Sequence, residues 1–237
     1  MSDILDKYAG KNFVFCLPGE YFSGKFLTNI LGLHSVLIAK GINVFIAQIH
    51  SSCIHRLRND CGGGHVLHGE FQTPFQIDKI EYDYIMWIDS DIIFNRKNFE
   101  DLVEMDKDVV TGWYMQRDGK PACGFTKKTK SKYTKKDTYA PIYDKHHIYQ
   151  LIQDEDIVNK IEPYTIDWCG MGWMLIRKGV MEKVRYPWFA PKNVRLSEDL
   201  MDSMSEDISF QLALKDAGFN IWVDPNNRVG HEKIRVI

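Results

Sequence analysis

Two short apolar runs near the start of the chain, NFVFCL at residues 12–17 and INVFIAQI at 42–49, lie on either side of a helix-like stretch. In that stretch Phe26, Ile30, Leu37 and other apolar residues recur at helical spacing, and Gly41 marks an end. A strand, helix and strand of this length favour a parallel pair of strands joined by a right-handed crossover. The sequence therefore predicts the beginning of an open, mostly parallel α/β sheet flanked by helices.

Strand-like and helix-like segments continue to alternate along the rest of the chain. The clearest strand is YDYIMWIDSDIIF, and further strands are predicted in DVVTGWYM, IDWCGMGWMLIR and FNIWVD. Helices are predicted in SSCIHRLRND, NFEDLVEM, KGVMEKV and SEDISFQLALKDAG. Residues 117–145 lack a convincing period and contain many lysines, so they are predicted to form a long loop.

Length and composition restrict the class of protein. With 237 residues, 44% of them hydrophobic, the chain can bury a full core, and we expect a single domain over 1–237. The formal net charge of -2 does not provide the broad basic field of nucleic-acid-binding proteins. Five scattered cysteines with no C-x-x-C pair fit a reducing compartment. No apolar run is long enough for a transmembrane segment, so we expect a soluble, cytoplasmic protein.

The segment from Gly19 to Lys25 fits the phosphate-loop pattern G-x-x-x-x-G-K. The next position of that pattern requires Ser or Thr to bind Mg2+, and here it is Phe26. No strand of the kind that accompanies such a loop in nucleotide triphosphatases is evident, so this class is the least favoured. Lys25 is expected on a helix surface.

Asp89, Ser90 and Asp91 form a D-x-D motif at the point where the apolar strand IMWI ends. Ligands of open α/β sheets bind outside the carboxyl ends of strands, and alternation places both carboxylates on the same side. Two such carboxylates can hold a divalent cation whose other positions are filled by water and a diphosphate. Taken alone, a D-x-D motif has a structural alternative, in which the aspartates only cap a turn.

Several motifs in a fixed order resemble GT-A-fold, nucleotide-sugar-dependent glycosyltransferases. They are the strand followed by D-x-D, the strand-helix-strand start, the G-x-G of Gly170 and Gly172, the acidic pair in SED and the late histidine in VGHEK. The resemblance covers most of residues 12–233, and the compact size is similar to glycosyltransferase domains of large DNA viruses, which would place the protein in the host cytoplasm. It implies a GT-A-like, Rossmann-like sheet and transfer of a sugar from a nucleoside diphosphate sugar, with UDP-sugars as first choice, to a glycan hydroxyl.

The resemblance also implies a metal site. Asp91 would bind Mn2+ or Mg2+ directly, Asp89 would contact the metal through water or the ribose of the nucleotide, and His231 would be the third metal contact. A mixture of carboxylate and imidazole favours manganese. A surface histidine near the end of the chain is the alternative for His231.

Other residues are implied to bind the nucleotide. Leu17, Pro18 and Gly19, in the loop after the first strand, would carry the base and ribose together with Ser90. Arg58 resembles the basic residue that such enzymes place near the base and diphosphate. A solvated arginine on a helix is the alternative.

On the acceptor side, the resemblance implies that Asp207 is the general base that removes a proton from the acceptor hydroxyl and that Glu206 supports it. The alternative is a helix cap, formed by Ser205 or by a capping box of Ser203 with Glu206. The floor beneath the sugar is expected to be Cys169, Gly170, Met171, Gly172 and Trp173, where glycine permits close approach of the backbone and Trp173 could stack on a sugar ring.

Two other functions remain open at the level of sequence. Phosphohydrolases of the haloacid dehalogenase type also carry D-x-D after an apolar strand, with the first aspartate as nucleophile. They normally have Thr or Val where this chain has Ile93, and here the strand is not the first in the chain. A catalytically inactive domain would bind a nucleotide sugar without turnover. The sequence does not indicate the sugar, the acceptor or the stereochemistry of transfer.

Overall fold

The computed structural model describes residues 3–130, 137–143, 162–195 and 201–233. Within these ranges the helices are α1 (Gly24–Ala39), α2 (Ile54–Cys61), α3 (Arg96–Glu104) and α4 (Glu206–Asp216), with 3-10 helices at Ile4–Tyr8, Val66–His68 and Met181–Lys183. The strands are β1 (Asn12–Pro18), β2 (Asn43–Ile49), β3 (Tyr84–Ile88), β4 (Ile92–Ile93), β5 (Val109–Trp113), β6 (Cys123–Lys130), β7 (Asp137–Tyr143), β8 (Tyr164–Ile166), β9 (Trp168–Cys169), β10 (Trp173–Arg177), β11 (Lys192–Arg195), β12 (Met201–Met204), β13 (Ile221–Arg228) and β14 (Gly230–His231).

A seven-stranded sheet with the order β2-β1-β3-β10-β5-β13-β8 forms the centre of the described chain. β1 pairs in parallel with β2 and β3, and β13 pairs in parallel with β5. β10 runs antiparallel to both of its neighbours, and β8 is antiparallel to β13. Five strands therefore point in one direction, and the prediction of a mostly parallel α/β sheet flanked by helices is confirmed.

The apolar run of β1 is explained by burial on both sides of the sheet. Val14 and Cys16 pack into one core cluster, which includes Phe210 of α4. Phe13 and Phe15 pack into the other, which includes helices α1 and α3. Because successive side chains of a strand point to opposite faces, a strand covered on both faces is apolar throughout.

The strands with parallel direction bring the residues that follow them to one edge of the sheet. β1 ends at Pro18, β3 at Ile88, β5 at Trp113 and β13 at Arg228. The antiparallel β10 begins at the same edge, where Trp173 pairs with Ile88. This edge is the position at which open α/β sheets bind ligands.

Two local predictions were wrong. Residues 117–145 contain β6 and β7, which pair as an antiparallel hairpin rather than a long loop. β6 carries lysine or threonine at five of its eight positions and β7 contains a proline, so the apolar alternation that indicates a strand is missing. In KGVMEKV the expected helix is a 3-10 turn at Met181–Lys183. None of the described helices is long and apolar enough to cross a membrane.

Candidate functional site

The residues predicted to hold the nucleotide lie beside the D-x-D motif. Gly19 follows β1, and a Cβ atom at this position would lie 2.6 Å from Cβ of Ser90. The Gly19 backbone is fixed by a bond from its N–H to the carbonyl of Ile49 (3.1 Å) and by the Gln48 amide, which donates to the Gly19 carbonyl (2.7 Å). Only glycine permits so close an approach. The ends of β1 and β3 therefore meet at Gly19 and Ser90.

Asp91 and His231 are in contact, although they lie 140 positions apart in the chain. The short strands β4 and β14 pair so that Ile92 lies opposite His231. As a result Nε2 of His231 lies 3.1 Å from Oδ2 of Asp91. Nδ1 of the same ring donates to the carbonyl of Met115 at 2.7 Å, which orients the imidazole. Nζ of Lys233 also donates to Oδ2 of Asp91, at 2.5 Å.

Electrostatics favour the charged forms of this pair. Burial opposes ionisation of the Asp91 carboxyl, but hydrogen bonds from His231 and Lys233 outweigh it and lower the pKa of Asp91 to about 2. Burial likewise opposes protonation of His231, yet its bonds to Asp91 and to the Met115 carbonyl raise the pKa of the imidazole. Both shifts favour the charged form of each partner, and the Lys233 ammonium adds a positive charge beside Asp91.

The pair fits a divalent cation in its donor atoms and spacing. Neighbouring ligands of an octahedral ion, each about 2.1 Å from it, lie about 3 Å apart. The 3.1 Å between Nε2 and Oδ2 matches that separation. A backbone carbonyl that accepts from Nδ1 is also the usual partner of a metal-binding histidine. Among the described residues, however, no cluster of three possible metal ligands occurs, so water or phosphate oxygens would have to complete the coordination.

Asp89 takes a different partner from Asp91. Its two carboxylate oxygens accept from Nη1 and Nη2 of Arg58 at 2.9 and 3.1 Å, which is the bidentate geometry of a strong ion pair. Nε of the same guanidinium donates to Oε1 of Glu206 at 3.3 Å. Burial opposes the charged form of Arg58, but the two carboxylates, Asp89 foremost, raise its pKa. Arg58 is thus a buried bridge, and its predicted contact with a nucleotide stays a prediction.

Glu206 and Asp207 form the first turn of α4. Ser205 is the N-cap residue, but its side chain makes no capping bond and its hydroxyl donates to Oδ1 of Asp207. The same oxygen accepts from the backbone N–H of Ile208 at 2.8 Å. Ser203 lies in β12, and Glu206 faces Arg58. The cap proposed for these serines as an alternative is therefore not present.

The glycines of CGMGW lie next to the D-x-D motif, while the larger side chains of this segment are buried. The carbonyl of Gly172 accepts from the backbone N–H of Asp89 at 3.0 Å. Trp173 is 0% exposed and stacks on Phe94 with ring centroids 4.7 Å apart. Cys169 and Met171 are 1% exposed. The expectation that Trp173 offers a free face to a sugar is wrong in this structure, and only backbone is presented here.

Tyr114 was not anticipated from the sequence. It is the residue after β5, it is 8% exposed, and its hydroxyl accepts from the N–H of Gly172 at 3.3 Å. Its ring lies 4.8 Å from that of His231, so it connects the glycine segment to the Asp91 and His231 pair. Its position at the carboxyl end of a strand, where ligands of such sheets bind, could have identified it as a site residue from the sequence. Lys233 was missed as well, because it lies in an irregular segment near the end of the chain.

No family model and no curated protein matches this chain. Solved structures that resemble it include A197 from STIV, with a TM-score of 0.48, 15% identity and 96% coverage of both chains. GalNAc-T7 with UDP, GalNAc and Mn2+ gives a TM-score of 0.49 at 10% identity over 93% of this chain but 43% of that one. TarS from S. aureus gives 0.42 at 14% identity, with 93% and 60% of the chains covered. At these values the likenesses carry no conclusion about function.

Proposed function

We propose that this protein is a metal-dependent glycosyltransferase that moves a sugar from a nucleoside diphosphate sugar, with UDP-sugars as first choice, to a hydroxyl of a glycan acceptor. The observation that carries the proposal is the contact of Asp91 with His231, whose facing atoms lie 3.1 Å apart although the residues are distant in sequence. The Met115 carbonyl accepts from Nδ1 and so directs Nε2 of the ring at Asp91. Metal-binding histidines are commonly oriented in this way, through a hydrogen bond from the other ring nitrogen.

The donor is assigned to the edge between β1 and β3. Leu17, Pro18 and Gly19 would hold the base and ribose, with Ser90 packed against Gly19. Asp89 would contact the ribose or the metal through water, and Arg58 fixes the orientation of its carboxylate by two hydrogen bonds. A carboxylate held in this way loses little rotamer freedom when a ligand binds.

Asp91 and His231 are assigned to the cation, Mn2+ in the first instance. When bound, the cation would neutralise negative charge on the departing diphosphate. Nζ of Lys233 donates to the same carboxylate oxygen that Nε2 of His231 faces.

Asp207 is assigned as the base that accepts the proton of the acceptor hydroxyl. Both hydrogen bonds that hold its carboxylate, from Ser205 and from the Ile208 N–H, engage Oδ1. The other oxygen, Oδ2, is therefore the one we assign to the acceptor. Glu206 supports this arrangement indirectly, because its bond to Arg58 fixes the first turn of α4.

The contacts of Asp89 disfavour a phosphohydrolase of the haloacid dehalogenase type. In that mechanism the first aspartate attacks phosphorus, which requires an available carboxylate oxygen. Here both oxygens accept from the same guanidinium at 2.9 and 3.1 Å. A charge-assisted bidentate pair lowers the nucleophilicity of both oxygens.

The test is calorimetric titration of UDP at several Mn2+ concentrations, with Asp91→Ala, His231→Ala and the double variant. Asp91→Ala should abolish metal-dependent affinity, and His231→Ala should weaken it less, since water can take the vacated position. Because the two ligands share one ion, the double variant should be little worse than Asp91→Ala. His68→Ala, which removes an exposed imidazole elsewhere, is the matched control. Additive losses, or unchanged metal dependence in His231→Ala, would contradict a shared site.

A second measurement separates a transferase from an inactive binding domain. Nucleotide sugars are screened for slow hydrolysis in Mn2+, which needs no knowledge of the acceptor, and the active donor is then used with a panel of glycans. Asp207→Asn should abolish transfer but retain UDP binding, because an amide cannot accept a proton at neutral pH. Asp216→Asn, at the far end of α4, is the control. Transfer within tenfold of wild type in Asp207→Asn would remove Asp207 as the base.

A further inference from the structure

A concave pocket of about 440 Å³ lies beside the Asp91 and His231 pair. The residues that line it and carry side-chain donors are Gln116, Arg117, Arg228, His231 and Lys233, and the described lining contains no aspartate or glutamate. The described side chains that line it are therefore basic or neutral, and two of them, His231 and Lys233, also contact Asp91.

The position of the pocket separates it from the predicted base and ribose. Its residues lie at the end of β13 or follow β5 and β13, whereas the nucleotide loop lies at the end of β1. In the sheet β13 is the fourth strand from β1, across β3, β10 and β5. At about 4.8 Å per strand the two ends lie roughly 19 Å apart. His231, which lines the pocket, contacts Asp91 after β3 and Met115 after β5, so the proposed metal site lies between the pocket and the nucleotide loop.

The two arginines of this pocket differ from the others in the described chain. Every other arginine whose side chain is described has a carboxylate within 4.0 Å: Arg56, Arg58, Arg96, Arg177 and Arg185. Arg117 and Arg228 have no such partner among the described residues, and both line the same pocket. The Arg228 guanidinium is held over the Trp113 ring at 5.3 Å, which positions it without neutralising it.

Arg117 and Arg228 are exposed and line one concave surface, and unpaired guanidinium groups in such a position favour an anionic ligand. Each offers parallel N–H donors that match the oxygens of a carboxylate or phosphate. The Gln116 amide can add a further donor. The cation proposed at Asp91 and His231 would serve the diphosphate of the donor, whereas Arg117 and Arg228 have no carboxylate partner among the described residues and would serve a second anion.

We propose that this pocket is a subsite for a negatively charged substituent of the acceptor, a carboxylate or a phosphate group. The inference rests on the proposed transferase function and specifies its substrate class as an acidic acceptor. Arg117 and Arg228 bind the anion, and Lys233 forms the boundary between this subsite and Asp91.

The experiment measures binding of three small probes by NMR titration: methyl glucuronide, methyl phosphate and neutral methyl glucoside. Each is titrated into wild type, Arg117→Gln, Arg228→Gln and the double variant, with and without UDP and Mn2+. Arg185→Gln, an exposed arginine that lines a different cleft, is the control. Wild type should bind at least one anionic probe and not the neutral one, and comparison of the two anions identifies carboxylate or phosphate as the preferred group.

Each single variant should weaken the binding of the anion about tenfold, since a hydrogen bond to a charged group is lost, and the control should remain within about twofold. The double variant Arg117→Lys with Arg228→Lys retains both charges but not the paired N–H donors of the guanidinium. It should therefore bind the anion more tightly than the double glutamine variant but less tightly than wild type. Equal anion binding by wild type and the double glutamine variant, or binding of the neutral probe with equal affinity, would overturn the subsite.

UDP affinity distinguishes this inference from the proposed function. If the double glutamine variant loses UDP affinity as strongly as anion affinity, or if UDP competes with the probes, the pocket belongs to the diphosphate of the donor and the inference is wrong. If UDP fails to bind wild type while the anions still bind through Arg117 and Arg228, the anion subsite stands and the transferase assignment fails.

Discussion

Replacement of Arg58 by methionine would leave the carboxylates of Asp89 and Glu206 without their shared counter-ion. Their side chains are 25% and 11% exposed, and that of Arg58 is 6% exposed, so water can replace the guanidinium only in part. Removal of one partner from a buried ion pair costs about 3 to 5 kcal/mol. Because Asp89 is partly accessible to solvent, we expect a loss near the lower end, about 3 kcal/mol of unfolding free energy.

Urea unfolding measures this loss, and Arg56→Met provides the matched control. Arg56 lies on the same helix, is 76% exposed and faces Asp60 at 3.6 Å, so its removal should change stability by less than about 0.5 kcal/mol. A triple variant with Asp89→Asn and Glu206→Gln added to Arg58→Met should be more stable than Arg58→Met alone, because no charge is then left unpaired. A loss below about 1 kcal/mol in Arg58→Met, or a triple variant less stable than the single one, would refute the bridge.

Three further outcomes are expected. Gly170→Ala should cost about 1 to 3 kcal/mol of unfolding free energy, since a Cβ there would lie 2.0 Å from the Tyr114 hydroxyl, and urea unfolding measures it. Lys25→Ala should leave UDP affinity within about threefold in calorimetry, because Lys25 is exposed on α1 rather than bound to phosphate; a loss of about 3 kcal/mol would restore the phosphate-loop hypothesis. Lys233→Ala should tighten Mn2+ binding without nucleotide about tenfold, because the ammonium no longer competes for Asp91; weaker binding would contradict this.

The sheet was predictable because its signals are local. β1 is buried on both faces and is therefore an uninterrupted apolar run, and α1 begins at a cap in which the Ser23 hydroxyl accepts from the N–H of Phe26 at 3.1 Å. The end of β3 was marked by a change from apolar residues to Asp89 and Asp91. Burial of a strand and capping of a helix can both be recognised from residues that are close in sequence. Parallel strands then bring their carboxyl ends to one edge of the sheet.

The pairing of charges was not predictable in the same way. Arg58 lies 31 positions from Asp89 and 148 from Glu206, and nothing local distinguishes it from the solvated Arg56 on the same helix. Trp173 was expected to face a sugar because large aromatic rings can stack on sugars. The burial of its side chain, however, depends on Phe94 and on the neighbouring strands. Burial of a side chain on a strand beside glycines depends on the layers that cover it, which the sequence of that strand does not specify.

The net charge of the chain likewise does not indicate how its charged residues are arranged in space. The formal charge of -2 argues against an extended nucleic-acid surface, because such binding needs a broad positive field. It says nothing about a small cluster, since charges separated in the chain cancel in the sum but not in space. Here Arg117 follows β5 and Arg228 ends β13, two strands that are far apart in sequence but adjacent in the sheet. A pocket of about 440 Å³ is of the size that binds small ligands, so a nearly neutral protein can still present a local cluster of basic side chains.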